Sequence, residues 1–192
     1  MIDLKVYNKL SPKKGRVLIT EPFVDVDDDF GRTVILLCEH NEEGSFGFVL
    51  NKYLDISIEE LSDFGESLTN VSKGGPVGNE HLYFLHTLGD EIDNSVHVVG
   101  NIYSGGSFKE IVKKAKLGLI KKNSVRFFLG YSGWTTNQLK DELNQNAWLV
   151  SEIINTESIM DTTNNSIWEI YMSNQGGKYK AFAHFPINPH FN

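Results

Sequence analysis

The residue pattern closest to enzyme chemistry is a serine between glycines in FLGYSGWTTNQL, residues 128–139. A serine hydrolase presents its nucleophile in a G-x-S-x-G turn between a strand and a helix, because only small neighbours fit where the backbone is strained. Gly130 and Ser132 match this pattern, but Trp134 occupies the place of the second glycine. The pattern therefore predicts no catalytic residue. A small-molecule hydrolase or transferase with a cleft near Ser132 and His86 remains an alternative hypothesis.

The same stretch is better suited to binding or packing. Thr135 and Gln138 have the spacing of a capping box, so a helix over 136–146 would begin here. Backbone N–H groups at the positive end of such a helix can hold an anion or a carboxylate. Tyr131 and Trp134 would supply rigid apolar walls, each with one polar tip. We interpret the stretch as a glycine-flanked corner that either holds a ligand or closes the core.

Metal and nucleotide chemistry lack support in the sequence. The acidic run DVDDD at 25–29 imitates the start of a calcium loop, but Phe30 stands where glycine is required and Leu36 where a bidentate glutamate is required. Motifs for zinc hydrolysis, dinucleotide binding and phosphate-binding loops do not occur. Cys38 is the single cysteine and lies in an apolar run, which predicts a buried thiol and a reducing compartment. We therefore predict no metal site and no cofactor.

A lysine-rich segment, SFKEIVKKAKLGLIKKN, predicts an amphipathic helix over 107–122. Ser107 and Glu110 have capping-box spacing, and lysines near the end suit the negative pole of the helix dipole. The formal net charge of the whole chain is −7, which argues against a protein that chiefly wraps nucleic acid. Direct DNA binding through this helix is kept as a second alternative. Its candidate contacts are Lys109, Lys113, Lys114 and Lys116.

Length and composition predict one compact domain over residues 1–192. A chain of 192 residues with 40% hydrophobic residues can bury roughly 70% of its unfolded surface. It contains no run of about 18 apolar residues, and its first residues are polar and mixed in charge. We therefore expect a cytoplasmic protein with neither a membrane span nor a secretory signal.

Alternating strands and helices must position the residues named above. Runs rich in β-branched and aromatic residues predict strands at 15–20, 33–40, 45–52, 81–87, 95–106, 124–131 and 146–153. Capping signals predict helices at 57–65, 107–122, 136–146 and around 167–174, and the tail at 175–192 is predicted to be irregular. A short turn between the second and third strands predicts a hairpin. These elements predict an α+β fold with a mixed, mostly antiparallel β-sheet flanked by short helices.

Several sequence blocks, in one order, resemble the YqgE/AlgH family of bacterial proteins. They are GRVLITEP, FGRTVILLCEHNEEGSFGFVLNK, GGPV, LHT, FFLGYSGWTTNQLKDELNQNAWLV and PINPHFN, and together they extend to the last residue. The resemblance implies a small cytosolic protein of mixed α and β structure, without an agreed enzyme activity or cofactor. One branch of the family is described as a candidate transcriptional regulator. Relatives commonly carry alanine at the position of Ser132, which implies that its hydroxyl is not a nucleophile.

The family motifs, carried over residue by residue, imply a ligand-binding cleft. The GGPV loop at 74–77, His86 and the GYSGW corner would build it, with Arg32 or His40 as a charged contributor. Asn51 also matches a motif, but His40 and Asn51 are expected at opposite ends of the predicted hairpin. The candidate ligand-binding residues are Arg32, His40, Gly74, Gly75, Pro76, His86, Tyr131, Trp134 and Gln138. The resulting hypothesis is a noncatalytic cytosolic binding or regulatory protein whose partner is an unidentified small molecule or protein, not a membrane.

Overall fold

The protein is built around one large β-sheet. The computed structural model describes residues 10–24, 29–57 and 70–185. Within these ranges the strands are β1 (Val17–Thr20), β2 (Val34–Asn41), β3 (Gly44–Val49), β4 (Tyr53–Ser57), β5 (Asn70–Lys73), β6 (Val77–His86), β7 (Val96–Val99), β8 (Ile102–Ser104), β9 (Val125–Thr135) and β10 (Trp148–Ser151). The sheet has the order β10-β1-β2-β3-β9-β6-β8-β7, and β5 pairs with both β4 and β9. The β5–β9 pair is parallel and the other described pairs are antiparallel, so the predicted α+β fold with a mixed, mostly antiparallel sheet is confirmed.

Short helices connect and cover the strands. In the described part of the chain they are α1 (Phe108–Lys116), α2 (Gln138–Asn144), α3 (Glu157–Met160), α4 (Ile167–Asn174) and α5 (Lys178–Phe182), with a 3-10 turn at Gly89–Glu91. The longest of these has nine residues, and among the residues described no helix combines the length and apolarity needed to cross a bilayer. The helix predicted over 57–65 lies outside the described residues from 58 onward.

Several predicted boundaries need correction. The Oγ of Ser107 accepts a hydrogen bond from the Glu110 N–H at 3.4 Å, as the capping box predicts, but α1 ends well before 122 because Gly118 turns the chain with φ +67°. The segment 95–106 is a hairpin of β7 and β8 instead of one strand. The predicted irregular tail contains α5. Strands β4 and β5, which flank the segment outside the described residues, were not predicted.

The long strand β9 overturns the prediction of a corner at GYSGW. The strand was expected to end at 131, but it continues to Thr135, and α2 therefore begins at 138 instead of 136. The second half of β9 pairs with β3, with Gly47 opposite Ser132. Its first half pairs with β6 and β5. Between the halves lies Gly130 with φ +67°, a conformation that glycine adopts at little cost. The stretch is thus a strand that joins the two halves of the sheet.

Buried apolar clusters lie on both faces of the sheet. Successive side chains of a strand face opposite sides, so Val17 and Ile19 of β1 pack in the cluster that contains Trp168 of α4. Leu18, between them, packs in a second cluster with Leu139 of α2. A third cluster lies beneath α1. Every residue of β1 is buried, as its apolar sequence VLIT requires.

A fully buried arginine joins three parts of the fold. The guanidinium of Arg126, on β9, donates to the carbonyl oxygens of Leu50, Ile159 and Asp161 and to the Oγ of Ser72. Burial lowers the pKa of Arg126 to about 10. A buried charge is costly unless hydrogen bonds compensate it, and here neutral oxygen atoms from the end of β3, from β5 and from the α3 region do so. We interpret Arg126 as a structural anchor.

Candidate functional site

A large cavity opens between the two halves of the sheet. Its volume is about 720 Å³, and its walls include residues of β2, β3, β6, β7, β8 and β9. Phe46 and Phe48 are two residues apart in β3 and therefore face the same side of the sheet. Tyr83 of β6 and Tyr131 of β9 also line the cavity. The volume lies in the range of natural small-molecule sites.

These four residues, which we call the aromatic quartet, contact one another in a closed cycle. The ring centroids are 5.7 Å apart for Phe46 and Phe48, and 6.0 Å apart for Phe48 and Tyr83. The cycle closes through Tyr83 and Tyr131 at 5.4 Å and through Tyr131 and Phe46 at 6.1 Å. Phe48 also stacks on Phe128 of the core at 4.6 Å. The Phe48–Tyr83 pair is tilted at 45°, and the other three contacts are edge-to-face, an attractive arrangement that gives the quartet a defined geometry.

Polar groups accompany the aromatic quartet. Lys14, Glu39 and Ser104 line the cavity together with the buried Cys38. Burial raises the pKa of the Cys38 thiol, against the smaller opposing effects of Ser104 and Lys14. The thiol is therefore protonated at neutral pH and is a poor nucleophile, which agrees with the predicted inert cysteine.

A second groove of about 470 Å³ adjoins the cavity. The two share Glu39, Phe46 and Tyr131, and the groove adds Glu43 and Trp134. Phe46 and Tyr131 thus stand where the cavity and the groove meet, with a carboxylate beside them. An elongated ligand could occupy both spaces.

The GGPV glycines pack against β9 beneath the quartet. The Gly74 N–H donates to the Leu129 carbonyl oxygen at 2.8 Å. A Cβ atom at Gly74 would stand 2.1 Å from the Gly130 carbonyl oxygen, and one at Gly75 would stand 2.3 Å from the Tyr131 carbonyl carbon. Both distances are far below van der Waals contact, so these positions require glycine. Their contribution is to let the loop approach Tyr131 closely.

Ser132 is a packing residue. Its side chain is 0% exposed, and its Oγ donates to the Gly74 carbonyl oxygen at 3.1 Å. A nucleophile must reach both a base and the substrate. This geometry disfavours the hydrolase alternative.

His86 lies far from the corner that it was expected to join. It pairs with Val125 at one end of the β6–β9 ladder, whereas Tyr131 pairs with Val77 near the other end. Six residues of extended strand separate the two positions, which corresponds to about 20 Å. His86 itself is not among the residues that line the cavity with Tyr131, although its hydrogen-bond partner Gly105 is.

The surroundings of His86 explain its burial. The Nδ1 atom accepts from the Leu88 N–H at 3.3 Å, so Nε2 carries the proton and donates to the Gly105 carbonyl oxygen at 3.1 Å. Ser95 Oγ lies 2.9 Å from the same Nε2, and the ring stacks on Tyr103. Burial lowers the pKa of His86. A neutral imidazole with both nitrogens engaged is a structural element of the β6–β8 region.

Trp134 and Gln138 are held together by Glu142 of α2. Glu142 Oε2 accepts from the indole N–H of Trp134 at 2.8 Å and from that of Trp148 at 2.7 Å. Glu142 Oε1 accepts from the Gln138 amide at 3.0 Å, and Gln138 Oε1 accepts from the Thr135 N–H at 3.1 Å. Trp134 is buried in the α2 cluster. Of the predicted capping box only the contact from the Thr135 N–H to Gln138 is present. The helix is preceded by Asn137 in a left-handed conformation, without a side-chain cap.

Arg32 and His40 do not line the aromatic cavity. The guanidinium of Arg32 lies 4.8 Å from the Trp168 ring centre and donates to the Phe185 carbonyl oxygen. His40 Nδ1 lies 2.7 Å from Ser45 Oγ at the turn of the β2–β3 hairpin. Asn51 lies at the opposite end of that hairpin, where it accepts from the Val34 N–H at 2.9 Å, as predicted.

The remaining predicted residues are more exposed. Pro76 is exposed beside the groove. Lys109, Lys113 and Lys116 are exposed on α1, whereas Lys114 forms an ion pair with Glu91 at 2.8 Å. DNA binding through α1 stays a prediction.

The acidic run is described only at its last residue. Asp29 forms an ion pair with Lys73, and residues 25–28 lie outside the described ranges. No group of three or more His, Cys, Asp and Glu side chains with metal-binding geometry occurs among the residues that the structure describes.

The structure thus unites part of the predicted site with residues that were not predicted. Gly74, Gly75 and Tyr131 come together, and Trp134 lines the adjoining groove. Sequence reasoning missed Phe46, Phe48 and Tyr83 as wall residues. The available signal was the pair of phenylalanines two positions apart in SFGFV, which places two rings on one strand face.

The fold and site define an α+β protein whose mixed sheet borders an aromatic cavity of small-molecule size. A family model described as AlgH-like matches residues 17–180. The chain belongs to this AlgH-like family, which confirms the resemblance found in the sequence.

Relatives cover nearly the whole chain. A UPF0301 protein of Cytophaga hutchinsonii is 39% identical over 183 residues, which are 93% of this chain and 98% of the relative. A UPF0301 protein of Bacteroides thetaiotaomicron is also 39% identical, over 187 residues, which are 96% of this chain and 94% of the relative.

Solved structures share the fold at lower identity. The solution structure of the AlgH protein from Pseudomonas aeruginosa matches with a TM-score of 0.68 and 24% identity, over 94% of this chain and 98% of that one. A crystal structure of a Corynebacterium diphtheriae protein matches with a TM-score of 0.77 and 20% identity, over 93% and 95% of the two chains.

Proposed function

We propose that this protein is a noncatalytic binding protein that holds a small, largely apolar molecule in the aromatic cavity. The observation that carries the proposal is a cavity of about 720 Å³ lined by the aromatic quartet. Apolar and aromatic walls with a few polar groups are typical of small-molecule sites. The polar groups here are Lys14, Glu39 and Ser104, which would orient the ligand.

The position of the quartet favours a regulatory use of binding. Phe46 belongs to β3 and Tyr83 to β6, which pair with opposite halves of β9. A ligand held between them would stabilise one relative arrangement of the two halves, because a ligand favours the conformation that it binds better. We propose that the protein acts in the cytoplasm as a ligand-responsive regulator, in keeping with the regulatory branch that the family resemblance implies.

A thermal-shift screen of a metabolite library tests this function, because a ligand that binds the folded state raises the melting temperature. Val96 lines the cavity and is 54% exposed, so Val96→Trp adds bulk at the cavity wall with little risk to folding. Leu119 is 61% exposed after α1, away from the cavity, and Leu119→Trp is the matched control.

We expect ligands that stabilise the unmodified protein and the Leu119→Trp control but not Val96→Trp. The proposal is wrong if no compound stabilises the protein, or if Val96→Trp responds as the control does.

A further inference from the structure

We infer that the ligand of the aromatic cavity is an organic cation whose nitrogen carries methyl or other alkyl groups. This inference rests on the proposed binding function and names the chemical class of the ligand. Two properties of the site carry it: the mutual orientation of the quartet rings, and the carboxylates placed where the cavity meets the adjoining groove.

Three of the quartet rings, those of Phe46, Tyr83 and Tyr131, are only partly buried, whereas Phe48 is 1% exposed and stacks on Phe128. Phe46 meets Phe48 at an interplanar angle of 86° and Tyr131 at 90°, and Tyr83 meets Tyr131 at 72°. The faces of perpendicular rings point in different directions, so Phe46 and Tyr131, which both line the cavity, can contact one ligand from two sides. The face of an aromatic ring carries partial negative charge, and several such rings around one site are a known solution for binding alkylated ammonium groups.

Carboxylates lie beside two of these rings. Glu39 lines both the cavity and the groove, as do Phe46 and Tyr131. One oxygen of Glu39 accepts from the Asn41 amide at 2.7 Å. Glu43 lines the groove as well. A cation at this junction would therefore meet aromatic faces and negative charge together.

Other charges near the quartet are consistent with a cation. Burial raises the pKa of Tyr83, and both Tyr131 and the carboxylate of Glu80 raise it further. Glu80 also contacts His81 at 3.0 Å. Lys14 lines the cavity but not the groove, so carboxylates outnumber it at the junction. The net charge of −7 favours cationic over anionic ligands at longer range.

The decisive comparison uses choline and its neutral isostere 3,3-dimethylbutan-1-ol, in which carbon replaces the quaternary nitrogen. Isothermal titration calorimetry at pH 7 measures both. The two molecules have nearly the same shape, so a difference in affinity reports the charge. We expect choline to bind at least about tenfold more tightly than the isostere.

Two pairs of variants locate the effect. Tyr131→Leu should weaken choline binding by about tenfold, whereas Tyr131→Phe keeps the ring and should bind normally. Glu39→Gln should weaken choline binding by about fivefold without changing the affinity of the isostere. Glu157→Gln, an exposed carboxylate on α3 outside the cavity and the groove, is the matched control and should have no effect. Circular dichroism confirms that each variant is folded.

The outcomes separate this inference from the proposed function. The cation inference is wrong if the isostere binds as tightly as choline. It is also wrong if choline fails to bind while a neutral compound stabilises the protein and Val96→Trp abolishes that stabilisation. In both cases the binding function stands. If no compound of any charge stabilises the protein in that manner, both are wrong.

Discussion

Ser132 donates a hydrogen bond from its hydroxyl to the carbonyl oxygen of Gly74, 3.1 Å away. The bond joins the middle of β9 to the glycine loop, and both residues are buried. The serine that most resembles a nucleophile in the sequence therefore fastens the loop beneath the aromatic quartet. Alanine at this position would keep the packing and lose one hydrogen bond.

Ser132→Ala should lower the free energy of unfolding by only about 1 kcal/mol, the usual net value of one hydrogen bond. The cost stays small because the Gly74 carbonyl oxygen still accepts from the Val49 N–H at 2.9 Å. Urea denaturation measures the change, and ligands found by the thermal-shift screen should bind the variant normally. An esterase activity that disappears in this variant would contradict the packing role.

Gly74→Ala should destabilise the protein by about 3 kcal/mol or more, because the added methyl group overlaps backbone atoms of β9 that cannot move independently. The comparison is Gly118→Ala, where nothing lies within 4 Å and only the positive φ of +67° opposes a side chain. That control should cost about 1 kcal/mol. Melting temperatures of the two variants give the comparison, and equal losses would contradict the close-approach explanation.

Arg126→Met should destabilise the protein by at least about 3 kcal/mol, because buried carbonyl oxygens lose their hydrogen-bond donor. Arg16→Met is a matched substitution. Arg16 forms an ion pair with Glu152 at 2.7 Å, and the side chains of Arg16 and Glu152 are 19% and 61% exposed. Arg16 also donates to the Ser11 carbonyl oxygen at 2.8 Å. We expect the Arg16 substitution to cost less, about 1 to 2 kcal/mol, because its carboxylate partner is exposed and fewer hydrogen bonds are lost. Chemical denaturation of both variants tests the difference. Similar losses would mean that Arg126 is not the anchor we describe.

His86 should make stability depend on pH in the mildly acidic range. Burial lowers its pKa below the ordinary value of 6.5. Below pH 6.5 this histidine binds a proton in the unfolded chain but not in the folded protein. Acidification therefore favours unfolding: the free energy of unfolding is unaffected by His86 above pH 6.5 and decreases as the pH falls below it. The free energy of unfolding can change by up to about 1.4 kcal/mol per pH unit through this one group.

The measurement compares the unmodified protein with His86→Gln by urea denaturation at pH 7.0, 6.0 and 5.5. We expect a smaller loss of stability on acidification in the variant, because Gln has no proton to gain. Parallel curves for the two proteins would show that His86 does not contribute.

Predictions from the sequence succeeded where the signal is local. The β2–β3 hairpin follows from two apolar runs around a short polar turn, and the cap of α1 follows from Ser107 and Glu110. The helix N-terminus at Thr135 was misplaced because glycine permits several conformations. Gly130 and Gly133 suggest a turn in the sequence, yet the first is an irregularity inside a strand. The second is a strand residue at which a Cβ atom would stand 2.9 Å from the Tyr131 ring.

The predicted cleft differs from the observed cavity in the place of His86, for a different reason. His86 and Tyr131 both match family motifs, and nothing in the linear sequence states how far apart an antiparallel ladder places them. That distance depends on the register between β6 and β9, which cross-strand packing decides. The register sets His86 opposite Val125 and so separates it from the glycine loop.

The amino-acid sequence by itself determined the fold class, the family, the buried strands and the inert cysteine, since each follows from the order and type of neighbouring residues. Tertiary structure alone decided the site. Phe46, Tyr83 and Tyr131 are separated by tens of residues and meet only because β9 pairs with β3 along one half and with β6 along the other. A cavity is the space that remains after distant strands have paired, and local sequence does not encode that space.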